Sequence, residues 1–396
     1  MKRILLVSYR FPYPLVDGSR IRIYNIGKIL AKEYLVDLLV VNEGLVADEY
    51  LNELKGIFNR VIVYPFHSMM FKANALRGLF SRDPLQTYYY YFKKVQEWIH
   101  RHYIDYDLIF CFHIRMARYL KKITNKPKAI DITDALSINY REGQSVASSG
   151  LWKLIYMVEN RRLLPYELKV LADFDKAFIT SPFDKTYLDK NSEQSNDHLV
   201  VIPNGIKEEL FSRVNKFKEL QENWLVFLGR MDYAPNVDAV SYFAKNILPL
   251  LSKNANVKFY IVGTNPTKQV VNLQNYEHVY VTGFVNDPYE YLEKAKIVVA
   301  PLRFSSGIQN KVLEAMALGK VVITTSKAAR GIEGKNGIHF IVADDDREMT
   351  LSILNLLTNE RKRREIGDNA RQLVKKKYRW DSIGEKLLEE IGELLR

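Results

Sequence analysis

The sequence predicts an α/β chain built from two successive strand–helix series. Three observations carry this. The chain has 396 residues, 47% of them hydrophobic, enough for two cores at about 100–200 residues per domain. Short runs such as RILLVSY, VDLLVV and KIVVAPL are apolar throughout rather than alternating, as parallel strands covered on both faces are. Helical periodicity fills the intervals between several of them.

The first series opens with RILLVSY (3–9), followed by the loop RFPYPLVDGS and a helix after Gly18 whose apolar face is Ile21, Ile23, Ile26, Ile29 and Leu30. VDLLVV (36–41) is the second strand. RVIVYPF, DLIFCFH, KAIDIT, KAFITS (176–181) and HLVVIPN (198–204) continue the series. The second series runs through WLVFLGR (224–230), KFYIVG (258–263), VYVTGF (279–284), KIVVAPL (296–302), KVVITT (320–325) and IHFIVA (338–343). The expectation is two Rossmann-like βαβ domains facing each other across a cleft, with ligands at strand carboxyl ends. Residues 1–205 form the first, residues 206–380 the second, and a final helix at 381–396 packs back on the first.

The single cysteine, Cys111, excludes a disulfide framework and a cysteine-based metal site, and fits a reducing cytoplasm. Arg10 interrupts the apolar start too early for a secretory signal. No apolar run approaches the roughly 18 residues of a membrane span. Net charge is +12, and residues 1–130 hold 21 lysines and arginines against 11 acids, nearly the whole excess. Such a field suits an anionic membrane surface, a phosphorylated substrate or nucleic acid, or simply a solubilising surface.

Chemistry concentrates in SSGIQNKVLEAMALGKVVITT (305–325). NKVLEAMALGK reads as a helix ending near Gly319, and the loop before it leaves a parallel strand at its carboxyl end. Backbone N–H groups of Gly307, Ile308 and Gln309 would open that helix without intrahelical acceptors, a ready anion site. Lys311 adds a positive charge. Glu314, two turns beyond Ser306, could accept bonds from neighbouring ribose hydroxyls, or simply face solvent on a capped helix.

At these residues the chain resembles family 4 glycosyltransferases of the GT-B fold, whose motif runs Glu, seven residues, then Glu-Ala-Met-Ala-x-Gly-x-Pro-Val. VIPNGI (201–206), FLGRMDYAPNVDAV and VTGFVNDPYEYLEKAKIVVAP resemble further family segments in the right order. GRMDYAPNVDAV with SSGIQNKVLEAMALGK is similar to a bacterial subgroup associated with exopolysaccharide clusters. The resemblance implies a retaining, hexosyltransferase-type enzyme that uses a nucleotide-diphosphate sugar and neither a metal nor another cofactor. It implies that Glu314 holds the donor ribose, and that Gly307, Ile308 and Gln309 cradle the diphosphate. Arg230 pairs with the same phosphates, His113 lies beside the transferred sugar, and Gly18 belongs to a loop over the reaction centre. Phe284 and Val285 fall on the donor-side G-x-V-x-D segment. The first family glutamate falls at Ser306 and the family lysine at Ala234 and Pro235, which makes Lys311 the replacement cation. Asp17 stands where a glycine is commoner.

Asp17, Asp131, Asp134 and Asn204 are candidates for the acceptor or sugar side, with turn formation an equal reading for Asp131 and Asp134. DDD at 344–346 reads as a loop and helix cap rather than a metal motif. Residues 66–94 mix Met and aromatic residues with Lys72, Arg77, Arg82, Lys93 and Lys94, which suits an interfacial membrane segment or an inward-packed acceptor wall. The basic tail lacks a nucleic-acid motif, so no nucleic-acid partner is expected. The expected partners are a nucleotide-sugar donor and a glycan or lipid-linked acceptor, at the inner face of the cytoplasmic membrane. A nucleotide-sugar epimerase of the same architecture and a non-catalytic nucleotide-sugar binding protein are the alternatives.

Overall fold

The computed structural model describes residues 1–146, 150–193, 195–213 and 222–396. Two units emerge from its contacts: Met1–Pro203 with Ile383–Arg396, and Asn204–Ser382.

The first unit is a seven-stranded parallel sheet: β1 (Arg3–Ser8), β2 (Leu35–Glu43), β3 (Arg60–Phe66), β4 (Leu108–Phe112), β5 (Lys128–Thr133), β6 (Lys176–Ile179) and β7 (Leu199–Val201). Its order is β3-β2-β1-β4-β5-β6-β7. Ile4, Leu5, Leu6 and Val7 are all fully buried, which is why β1 is an unbroken apolar run rather than an alternating one. The helix Gly18–Leu30 buries Ile23, Ile26, Ile29 and Leu30, and with them Arg22. The last helix, Trp380–Leu394, adds its residues from Ile383 to this unit. A Cβ on Gly384 would sit 3.1 Å from Ile29 Cγ1, and Lys176 is ion-paired to Glu390 and Glu393.

The second unit repeats the plan in six strands: β8 (Asn223–Leu228), β9 (Val257–Val262), β10 (Val279–Gly283), β11 (Ile297–Ala300), β12 (Val322–Thr324) and β13 (Ile341–Val342). They are ordered β10-β9-β8-β11-β12-β13, all pairs parallel. Two apolar clusters cover the sheet, one built around Phe227, Phe243 and Phe259, the other around Val226, Leu313 and Met316.

Every expected strand is present. Both sheets are Rossmann-like, and each reverses its winding next to its first strand, between β1 and β4 and between β8 and β11. Those switch points are where such sheets open a crevice at the carboxyl ends of their strands. Among the described residues no helix is long and apolar enough to cross a membrane.

Candidate functional site

In the second unit three loops leave the carboxyl ends of the strands around the β8/β11 switch. The loop after β8 carries Gly229 and Arg230, the loop after β11 carries Ser305 to Gln309, and β10 leads into Phe284 and Val285. The β8 and β9 ends are in close contact: a Cβ on Gly263, which has a φ of +148°, would lie 1.7 Å from the Gly229 carbonyl oxygen. Only glycine fits there.

The helix read in NKVLEAMALGK spans Asn310–Ala317, starting where expected, with Gln309 as its N-cap. Gly307 has a left-handed φ of +64°, so the chain turns there instead of entering the helix. A Cβ on Gly331 would approach the Gly307 carbonyl oxygen to 2.4 Å, which fixes the turn from behind. The first helical bond comes from Val312 N–H to the Gln309 carbonyl. The backbone N–H groups of Ile308, Gln309, Asn310 and Lys311 find no acceptor among the described residues. The run of N–H groups without acceptors is therefore Ile308–Lys311, one to two residues beyond the expected Gly307–Gln309, and it lies at the positive end of the helix dipole.

Lys311 is the last residue of this stretch. Its Nζ donates to Gln309 Oε1 at 3.2 Å and lies 5.7 Å from the centre of the Phe227 ring. Its Cε is 3.3 Å from where a Gly229 Cβ would be. Burial pushes the ammonium pKa down to about 8, against the opposing pull of Glu314. Glu314, one turn further on, is half-buried rather than solvent-facing. Burial raises its pKa to about 7, while Lys207, Lys311 and the Tyr289 hydroxyl pull it down. Tyr289 donates to Glu314 Oε1 at 3.4 Å, and Lys207 Nζ lies 5.9 Å from the Tyr289 ring centre.

The other donor-side candidates divide. Arg230 sits at the end of β8 but is held by Asp232, through Nε at 3.1 Å and Nη2 at 2.7 Å. Ser306 is buried, and its carbonyl accepts from Gln309 Nε2 at 3.0 Å. Phe284 is 70% exposed, whereas Val285 packs on the second core cluster. Asn204 is buried and donates to Asn310 Oδ1 at 2.9 Å. Its amide anchors the helix start.

The first unit gathers its own group at the β1/β4 switch. His113 follows β4 with a φ of +78°, a costly conformation for a non-glycine residue. Its N–H donates to the Asp131 carbonyl at 2.7 Å, and its Nδ1 accepts the Arg115 backbone N–H at 3.3 Å. Burial, with Arg115 and Arg10 nearby, holds the imidazole pKa well below its usual value. The ring is therefore neutral, and that bond assigns its proton to Nε2. Tyr9 packs beside it, ring centres 5.2 Å apart.

Two of the acceptor- or sugar-side candidates are engaged within the unit. Asp131 is fully buried and engaged by Arg22 Nε at 2.8 Å and the Thr133 N–H at 2.8 Å, so it has no surface to offer a sugar. Asp17 caps the helix that Gly18 opens, accepting from Arg20 N–H at 3.1 Å and pairing with Arg10 at 3.0 Å. Asp134 remains half-buried just past β5. The expected cap in the DDD run is Asp345, which accepts from Glu348 N–H.

Sequence reasoning missed Tyr289, Lys207, Arg22 and Arg115. For Arg115 a signal existed, since it follows a strand-end histidine by two positions. For the others none did.

With this geometry in view, residues 222–359 match the family described as "Glycosyl transferases group 1". An uncharacterized glycosyltransferase of Methanocaldococcus jannaschii is 26% identical over 231 residues, which are 55% of this chain and 60% of that protein. The match thus spans 60% of that relative's length. Among solved structures, Anabaena HepE in complex with UDP-glucose superposes with a TM-score of 0.68 at 16% identity, covering 99% of this chain and 100% of that one. WaaG, a glycosyltransferase involved in lipopolysaccharide biosynthesis, gives 0.65 at 17% identity, with 98% of each chain covered.

Proposed function

We propose that this chain, whose residues 222–359 form a group 1 glycosyltransferase domain, transfers a sugar from a nucleotide-diphosphate donor to a glycan or lipid-linked acceptor of envelope or exopolysaccharide synthesis. The observation that carries the reading is the run of four N–H groups at Ile308–Lys311 without acceptors among the described residues, with the Lys311 amine bonded to the Gln309 side chain and Glu314 one turn along. Departure of the sugar leaves a diphosphate whose charge grows in the transition state. Preorganised amides, the helix dipole and a protonated Lys311 stabilise that charge without metal assistance. Glu314 accepts the ribose hydroxyls, and Tyr289 orients its carboxylate. Arg230 joins the phosphates by exchanging its Asp232 partner for them.

The first unit is the acceptor side in this reading. Neutral His113 presents its Nε2–H to a sugar hydroxyl. Retention of anomeric configuration follows from attack on the face the phosphate leaves. HepE, with its UDP-glucose, makes a uridine donor the first to test, and WaaG, with its lipopolysaccharide role, supports an envelope acceptor.

The protein works at the inner face of the cytoplasmic membrane. Met69, Met70, Leu76, Leu79 and Phe80 are exposed, Phe80 at 99%, beside exposed Lys72, Arg77 and Arg82. Phe71, Asn74 and Phe92 of the same segment point inward. Apolar side chains flanked by basic ones suit an anionic lipid surface.

A metal-free thermal-shift screen with UDP, GDP, ADP, dTDP and their common sugars tests the donor reading. Selective stabilisation by one nucleotide is expected, about 2.7 kcal/mol at a hundredfold excess over Kd. Absence of both a shift and any sugar transfer refutes the proposal.

A further inference from the structure

The first unit holds a second group built for an anion. After His113 the chain enters the short helix Ile114–Ala117, which carries Arg115 beside the first residue after β1. The Arg115 guanidinium carbon lies 4.8 Å from the Tyr9 ring centre and 5.7 Å from that of Tyr90. Its Nε donates to Gln86 Oε1 at 2.8 Å. Gln86 is itself held, its Nε2 donating to Glu159 Oε2 at 3.3 Å, and Glu159 Oε1 accepts the Leu85 N–H at 2.7 Å. Glu159 is only 2% exposed. The guanidinium is therefore clamped through its inner edge and lies against two rings that themselves meet edge to face.

Its outer edge is unclaimed. Neither Nη group has a protein acceptor, and no carboxylate lies within ion-pair distance of Arg115 among the described residues. Asp134 is close enough to feel its charge without pairing with it, and Asp17 is taken by Arg10 and Arg20. A planar fork fixed through Nε leaves its two Nη groups to grip the paired oxygens of a carboxylate or phosphate. The same backbone turn sets His113 two residues away, its Nε2–H free of the Arg115 amide bond.

We propose that Arg115 is the anion receptor of the acceptor side, binding a carboxylate or phosphate carried by the acceptor and selecting acidic acceptors over neutral glycans. This rests on the first unit's being the acceptor side. Tyr9 and Tyr90 shield the pair from water and raise its strength. The anion has two sources, an acidic sugar or the phosphate of a lipid-linked acceptor.

The test is calorimetric titration of the full chain, with and without UDP, using matched probes. Methyl glucuronide is compared with methyl glucoside, and geranyl diphosphate with geraniol. In wild type one anionic probe should bind at least about tenfold more tightly than its neutral twin, and the pair that shows the preference names the source. Arg115→Gln should bring the preference to within about twofold, and Arg115→Lys should restore only part of it, since a point charge lacks the fork. Equal binding of charged and neutral twins by wild type overturns the proposal. So does a preference that survives Arg115→Gln, which would put the anion elsewhere, at the Ile308–Lys311 stretch for example. Failure of UDP to bind would count against the donor reading alone, because the twin comparison is made without it as well.

Discussion

The Arg22 guanidinium meets the Asp131 carboxylate at 2.7 Å, with side-chain exposures of 0% and 1%. Arg22 Nη1 also donates to the carbonyl of Pro203, the last residue of the first unit before the chain enters the second. An arginine in an apolar helix face thus ties that helix, β5 and the end of the unit together.

Removing one partner strands a buried charge. Arg22→Ala should destabilise the first unit by about 3–5 kcal/mol, while a double replacement by apolar residues of similar volume should cost far less. Urea unfolding followed by probes in each unit reads this directly. A loss under about 1 kcal/mol would mean that the pair carries little of the unit's stability.

Affinity for UDP-glucose should be bell-shaped in pH. Glu314 titrates at about 7 and must be ionised to accept ribose hydroxyls, so binding rises through that value. Lys311 titrates at about 8 and must be protonated to meet the diphosphate, so binding falls above it. Glu314→Gln should abolish the acid limb and weaken binding by roughly 1.5–3 kcal/mol. Lys311→Met should abolish the alkaline limb. A flat profile in wild type would remove both residues from the donor site.

Glu167 is fully enclosed and bonded to Ser137 through its N–H at 3.2 Å and its hydroxyl at 2.5 Å. Burial raises its pKa from 4.5 to about 8. Between those values the folded chain keeps a proton that the unfolded chain has released, so stability falls as pH rises through this window. Glu167→Gln, which mimics the protonated acid, should stabilise the first unit at pH 8 by on the order of a few kcal/mol and flatten the fall. An unchanged slope of stability against pH would show that Glu167 does not titrate there.

Vesicles containing anionic lipid should pellet the protein, and neutral vesicles should do so weakly. Phe80→Ser should cut binding by about tenfold or more, the worth of one inserted aromatic side chain. Neutralising Lys72, Arg77 and Arg82 together should erase the preference for anionic lipid. Equal pelleting by both lipids would exclude the charge-guided attachment.

Much of the architecture was legible in the chain because parallel strands buried on both faces must be apolar at every position, as in Ile4–Val7 and Ile297–Ala300. The loop before Lys311 and Glu314 was legible for a related reason, since it interrupts strand and helix patterns with Ser-Ser-Gly. The helix start at Asn310 was legible in NKVLEAMALGK, but the backbone geometry just before it was not. Gly307 marks a turn, but whether its neighbours enter the helix depends on Gly331 backing it from another loop.

By itself, then, the sequence determined the two strand–helix series, the strand-end positions of His113 and Arg230, and the glycine-led loop ahead of a Glu-bearing helix, because these follow from local periodicity. Tertiary structure alone decided which polar groups are used up and which are left to act. Asp131 and Asp17 look available in the sequence, yet they are consumed by arginines. Arg115 looks ordinary, yet its Nη groups have no partner among the described residues. Those outcomes turn on partners as far as 109 residues apart, Arg22 with Asp131. A side chain's charge is useful to a ligand only where folding has not already neutralised it.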